Sequence, residues 1–238
     1  MTGLETAVVS LDDVRQDILA LQADPVARPV VEAFHEAWYT TKHTWAMATY
    51  RGVPILKNPL DLWVLQELIH YTKPALIIET GTAYGGSAYF MADVLDRVGR
   101  GAVITVDITP NPDPAVQAHP RVWIVKGSST DDLVSGFLRE RVAATKGPVL
   151  VVLDSDHHAP HVARELELYA PLVPVGGYLI VEDTNLNGRP VLPEWGPGPG
   201  EAVDAFLASD AGRGWVREPL CERFLLTMHP GGWLRRVA

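Results

Sequence analysis

The sequence predicts an α/β fold: a mostly parallel sheet with helices on both faces, an antiparallel C-terminal strand and an N-terminal helical appendage. Two observations carry this. From Pro74 onward, five short apolar runs rich in β-branched residues alternate with longer helical patterns. Continuous apolar strands separated by helices belong to parallel sheets that are covered on both faces. Ahead of Pro74 the periodicity is helical, broken by loops. The 238 residues suffice for one such domain, its appendage and a full core.

Ser10 and Asp13 form a capping pattern before an amphipathic stretch that ends near Leu21. Asn58-Pro59 reads as an N-cap followed by proline at the first helical position, with Leu60, Val64, Leu65 and Leu68 as the apolar stripe. Between these helices lies a segment rich in aromatics and histidine: His35, Trp38, Tyr39, His43, Trp45 and Tyr50. The first strand is Ala75–Ile78, followed by a helix over Gly86–Val98. Ala102–Val106 is the second and Val122–Val125 the third, with a helix near Asp131–Ala143. Val149–Leu153 is the fourth, with a helix near Ala159–Leu172, and Tyr178–Val181 the fifth. Glu201–Ser209 reads as another helix. Trp215–Glu218 and Arg223–Met228 read as two final strands, antiparallel across a short Pro-containing link. Leu186–Gly200 holds four prolines and four glycines, so it is a loop, and a loop this long is often functional. Residues 1–72 are expected to form a helical or lid segment, and 73–238 the cofactor-binding domain.

Charged residues make up 21% of the chain, as in ordinary soluble domains. A net charge of -9 with no lysine–arginine block argues against a nucleic-acid partner. No apolar run is long enough to span a bilayer, and Met1–Val9 lacks the pattern of a signal peptide. Cys221 stands alone and cannot close an internal disulfide, so the expected location is cytoplasmic.

Ligands of open α/β sheets bind beyond the carboxyl ends of the strands, near the switch point. The residues that follow each strand are therefore the informative ones. After the first come Glu79, Gly81, Tyr84, Gly85, Gly86 and Ser87. Glycines there let the backbone turn sharply beside a ligand, and the helix start offers free N–H groups. The G-x-G-x-x-G pattern of dinucleotide sites is absent. An acid at the strand end with N–H groups for a carboxylate suits S-adenosylmethionine (SAM) better than a pyrophosphate. Asp107, after the second strand, is placed to accept ribose hydroxyls. Ser128 and Ser129, after the third, suit an adenine edge; Ser129 or Thr130 also suits a helix N-cap. Asp154 follows the fourth strand, and Glu182-Asp183 the fifth. If these strand ends are neighbours, three carboxylates converge and call for a cation. All-oxygen ligation favours Mg²⁺. His157, His158 and His161 form a dense imidazole cluster without a zinc spacing. His157 is the candidate base, with Asp154 beside it, while His158 and His161 read as surface or structural.

At these residues the sequence resembles the cephalosporin hydroxylase/rhamnosyl O-methyltransferase family. The matching pieces are Gly52–Pro59, Glu79–Ser87, Leu153–His157, Val181–Asn185 and the Pro-Gly stretch Gly196–Gly200 with Glu201-Ala202-Val203. The resemblance implies a Rossmann-like class I methyltransferase fold that binds SAM and Mg²⁺. The order of motifs is also similar, more distantly, to catechol O-methyltransferase. By that analogy Asp154, Glu182 and Asp183 hold Mg²⁺, and His157 stands where that enzyme carries a lysine base. The acceptor is expected to be a hydroxylated small molecule, a sugar moiety or another secondary-metabolite intermediate, and the protein a homo-oligomer. Trp38–Tyr50 and the loop near Trp195 are expected to close over the acceptor. The competing readings are an NAD(P)-dependent oxidoreductase and a metal-dependent hydroxylase.

Overall fold

The computed structural model describes residues 10–238, so the reading of Met1–Val9 lies outside it. Helix α1 (Leu11–Ala23) opens on the expected capping box, in which Ser10 and Asp13 satisfy each other's backbone N–H. A second helix, α2 (Ala27–Thr40), follows. It carries His35, Trp38 and Tyr39, which the sequence reading left in a connecting segment. A small antiparallel hairpin, β1 (Thr49–Tyr50) and β2 (Val53–Pro54), leads to α3 (Pro59–Thr72). The Asn58 side chain accepts from Leu60 N–H and caps α3, with Pro59 in its first turn.

The alternating part runs β3 (Leu76–Thr80), α4 (Gly86–Val98), β4 (Ala102–Asp107), the short α5 (Pro114–Gln117), β5 (Val122–Lys126), α6 (Asp132–Ala144), β6 (Val149–Leu153), α7 (Ala159–Tyr169) and β7 (Tyr178–Val181). Then come α8 (Pro199–Ala208), β8 (Trp215–Arg217) and β9 (Trp233–Arg236). The sheet order is β5-β4-β3-β6-β7-β9-β8. Its first five members are parallel, and β9 runs antiparallel to both β7 and β8. The expected mostly parallel sheet with an antiparallel C-terminal strand is therefore present.

Strand side chains alternate between two apolar layers. Ile78, Val151 and Leu153 pack with Leu138 of α6, Leu166 of α7 and Phe206 of α8. Ile77, Leu150 and Val152 pack on the other face with Leu65 and Ile69 of α3 and Met91 and Leu95 of α4. Sequence order reverses between β3 and β6, so the crevice opens at their carboxyl ends.

One strand was misplaced by the sequence reading. Arg223–Met228 is a loop, and the last strand is Trp233–Arg236. Side chains rather than a neighbouring strand satisfy the loop's backbone. Asn58 Nδ2 donates to the Leu226 carbonyl at 3.2 Å, and Met228 N–H donates to Asp61 Oδ2 at 2.9 Å. Leu226 and Met228 are buried, and Met228 lines the site, whereas Phe224 is exposed. The N-cap of α6 is Asp131, one residue after Thr130 and two after Ser129, the expected caps. Among the described residues, no helix is long and apolar enough to cross a membrane.

Candidate active site

The carboxyl ends of β3, β4, β5, β6 and β7 open on a cavity of about 820 Å³. Gly81, Asp107, Ser128, Ser129, Asp154 and Asp183 line it from the strand ends. Tyr39, Trp45, His157 and Trp195 line it from the appendage and loops.

The turn after β3 is shaped by close approach. Gly81 has φ +88°, and a Cβ there would lie 1.8 Å from the Asp154 carbonyl oxygen. Only glycine admits that contact. Gly86 brings the start of α4 against β2, where a Cβ would meet the Pro54 oxygen at 2.3 Å. Asp107 holds the turn from the next strand: its Oδ2 accepts from Thr82 N–H at 2.9 Å and Ala83 N–H at 3.0 Å. Its Oδ1 accepts from Thr109 N–H at 2.8 Å.

Glu79 lies inside β3 rather than after it, and it is fully buried. It accepts from the Ser87 hydroxyl, and burial pushes its carboxyl up to about 7. Its Oε2 is buried without a partner. Glu79, Tyr84, Gly85 and Ser87 do not line the cavity. Tyr84 is half exposed, and Gly85 is the left-handed N-cap of α4.

On the β5 and β6 side, Ser129 Oγ and Ser155 Oγ each lie 3.1 Å from His161 Nε2. Ser155 donates to buried Glu165 at 2.8 Å. His161 thus belongs to the cavity wall, a position its spacing did not reveal. His158 is exposed and stacks on Trp195, whose indole N–H donates to the His157 carbonyl at 3.0 Å.

Of the acids after β6 and β7, Asp154 and Asp183 converge, with His157; Glu182 lies outside that group, buried against Lys57. Single ligand atoms of Asp154, His157 and Asp183 all lie within 4.8 Å of one another. His157 Nε2 is 3.1 Å from Asp183 Oδ2. Lys57, buried in the loop before α3, reaches Asp154 Oδ2 at 2.5 Å and also bonds Glu182 Oε2. Burial and Glu182 push the Asp154 carboxyl up to about 7 against the pull of Lys57. Burial opposes the His157 imidazolium, but Asp183, Asp154 and Glu182 outweigh it and raise its pKa. Asp183 Oδ1 is buried with no protein partner. Converging carboxylates with an orphaned oxygen fit a hard divalent cation.

Sequence reasoning named these acids but gave no role to Lys57. Nor did it single out Asp61 or His229, which pack behind Glu182 and Asp183. Their only signal was burial of charged residues near the acids, which appears in three dimensions and not in spacing.

The family model described as Rhamnosyl O-methyltransferase/CmcI matches residues 42–237. A rhamnosyl O-methyltransferase of Mycobacterium bovis is 38% identical over 212 residues, covering 87% of this chain and 85% of that protein. Its Mycobacterium leprae counterpart is 38% identical over 179 residues, covering 74% and 77%. Among solved structures, the Mg-SAM form of CmcI matches with a TM-score of 0.62 at 22% identity, covering 81% of this chain and 78% of that one. The structural likeness speaks to the class I methyltransferase fold. The sequence match spans both the strand-end acids and the glycine turn, and by it the chain belongs to the rhamnosyl O-methyltransferase/CmcI family.

Proposed function

We propose that this protein is a SAM- and Mg²⁺-dependent O-methyltransferase that acts on a hydroxyl of a small molecule, a sugar moiety foremost. The observation that carries the reading is the convergence of Asp154, His157 and Asp183 in the cavity that also receives the glycine turn and Asp107. The mycobacterial relatives, named as rhamnosyl O-methyltransferases, support the sugar.

Asp154 and Asp183 are the residues that would hold the ion, with Glu182 behind them on Lys57. When bound, Mg²⁺ supplies polarisation of an acceptor hydroxyl, and SAM supplies the methyl group. Asp107 keeps the glycine turn open and offers its remaining lone pairs to ribose. Ser128 and Ser129 face the adenine end. Glu79 serves the SAM site from behind the turn, by holding Ser87 at the start of α4. His157 takes the acceptor proton, and Asp183 Oδ2, 3.1 Å from its Nε2, stabilises the imidazolium that results. Tyr39, Trp45 and Trp195 wall the cavity and exclude water from the transferring group. Holding both reactants in line supplies much of the acceleration.

The exposed apolar stripe of Val30 and Phe34 on α2, with Val26 at its N-cap, supports a homo-oligomer. The free, buried Cys221 is in keeping with a cytoplasmic location.

The test is methyl transfer from labelled SAM to a panel of sugar-bearing acceptors, with Mg²⁺ and with EDTA. Transfer is expected only with the metal, and Asp154→Asn and Asp183→Asn should each abolish it. Full turnover of both variants in EDTA would sink the metal role.

A further inference from the structure

We propose that His229 is a positioning residue for the cation site: its ring nitrogen fixes the backbone that aims Asp183. The proposal rests on the metal-dependent reading above and adds a residue to it.

Asp183 has φ +54°, a left-handed conformation that strains a non-glycine residue. Such a residue persists only where its surroundings hold it. The holding contact comes from the C-terminal loop. Asp183 N–H donates to His229 Nδ1 at 3.1 Å. His229 is 2% exposed, so no water competes for that N–H on the ring side.

An imidazole nitrogen that accepts a hydrogen bond carries no proton, so the proton of His229 sits on Nε2. That N–H faces two acids. Asp61 Oδ2 and Glu182 Oε2 each lie 3.7 Å from Nε2, too far for hydrogen bonds but close enough to favour this tautomer. The ring is fixed on its own side as well. Its backbone N–H donates to Thr227 Oγ1 at 3.0 Å, and Trp233 packs on the ring with centroids 5.5 Å apart. Asp61 joins the loop to α3 through Met228 N–H.

The result is a brace of three elements behind the acids. Helix α3 supplies Asp61, the loop before β9 supplies His229, and the end of β7 supplies Asp183. The brace leaves Asp183 Oδ2 against His157 and Oδ1 unpartnered. Without the Nδ1 acceptor, the Asp183 N–H loses its partner, and the turn relaxes towards ordinary φ. The carboxylate then leaves the cluster with Asp154 and His157.

The experiment compares divalent-ion affinity, measured by Mn²⁺ titration calorimetry without substrate, in wild type, His229→Asn and His229→Gln. The Asn carbonyl reproduces the Nδ1 acceptor, whereas the Gln carbonyl falls at the Nε2 position. Affinity is expected to stay near wild type in His229→Asn and to fall about 10–100-fold in His229→Gln, the range for lost partners of metal ligands. S-adenosylhomocysteine affinity, read on the same samples, should hold in both. Equal Mn²⁺ affinity in the two variants would overturn the proposal. Wild type that binds no divalent ion would instead overturn the metal reading itself. One readout needs no variant. In ¹⁵N-labelled wild type, a coupling between the Asp183 amide nitrogen and His229 Nδ1 reports the bond directly, and its absence overturns the proposal whether or not the variants fold.

Discussion

A glycine and a histidine carry the sharpest expectations at the scale of single residues. Gly81 and Gly99 both sit at positive φ, +88° and +83°, but a Cβ on Gly99 meets nothing within 4 Å. Gly99→Ala therefore costs only the left-handed penalty, about 1 kcal/mol. Gly81→Ala adds the collision with the Asp154 carbonyl and costs several kcal/mol, of the order seen for overpacked or strained sites. Urea unfolding of the two variants separates them, and equal midpoints would show that the turn yields easily. His157→Ala removes the base and should lower kcat about 10²–10⁴-fold at saturating SAM and metal, read from initial rates. The residues behind both predictions were legible in the sequence because strand ends announce themselves: an apolar run stops and a glycine or acid follows. Lys57 and His229 were not legible. Each acts on an acid more than forty residues away in the chain, and only the packing of α3 and the C-terminal loop brings them there.

At the scale of elements, the strands of the alternating part were readable to within a residue or two, most clearly β3, β6 and β7, which are buried on both faces and whose composition says so, whereas the short helix α5 was not read at all. The C-terminal strand escaped for the converse reason. Trp233–Arg236 ends in two half-buried arginines, whereas the preceding loop is the more apolar segment. That loop is tied to α1 through Glu222, which accepts from Gln22 Nε2 at 2.9 Å and Gly231 N–H at 2.8 Å. Burial lifts the Glu222 carboxyl to about 7. The folded state then binds the extra proton between about pH 4.5 and 7, so stability falls as pH rises through that window. Above it the loss is complete, on the order of 3 kcal/mol for a group this buried. Glu222→Gln escapes the loss. Its amide oxygen keeps the Gly231 contact, and Gln22 can present its own carbonyl instead of its NH₂. The variant should match wild type near pH 4.5 and exceed its melting temperature near pH 8. Melting curves that stay parallel across the window would show that Glu222 is not held neutral.

For the molecule as a whole, the question is which part of the chain folds and which part only serves the site. The sequence reading divides it into 1–72 and 73–238, but α3 lies on the near side of that boundary while its side chains sit in the sheet core. Val64, Leu65, Leu68 and Ile69 are all buried against α4 and the strands. At about 1.5–3 kcal/mol for each buried side chain, losing them removes roughly as much as the 5–15 kcal/mol that holds a domain together. Helices α1 and α2 bury far less: Ile18 and His35 are their only buried residues. Their ties to the rest are polar, Arg15 to Glu218, Gln22 to Glu222 and His35 to Asn185. We propose that α1 and α2 form the lid and α3 belongs to the catalytic body. A chain that starts at residue 48 should then melt cooperatively and bind S-adenosylhomocysteine, yet turn over acceptor poorly, because Tyr39 and Trp45 no longer wall the cavity. A chain that starts at residue 73 should not fold. Calorimetry and acceptor kinetics on the two truncations decide the matter: if the longer one also fails to fold, the polar ties of α1 and α2 contribute more than their small burial implies, and the lid is part of the body.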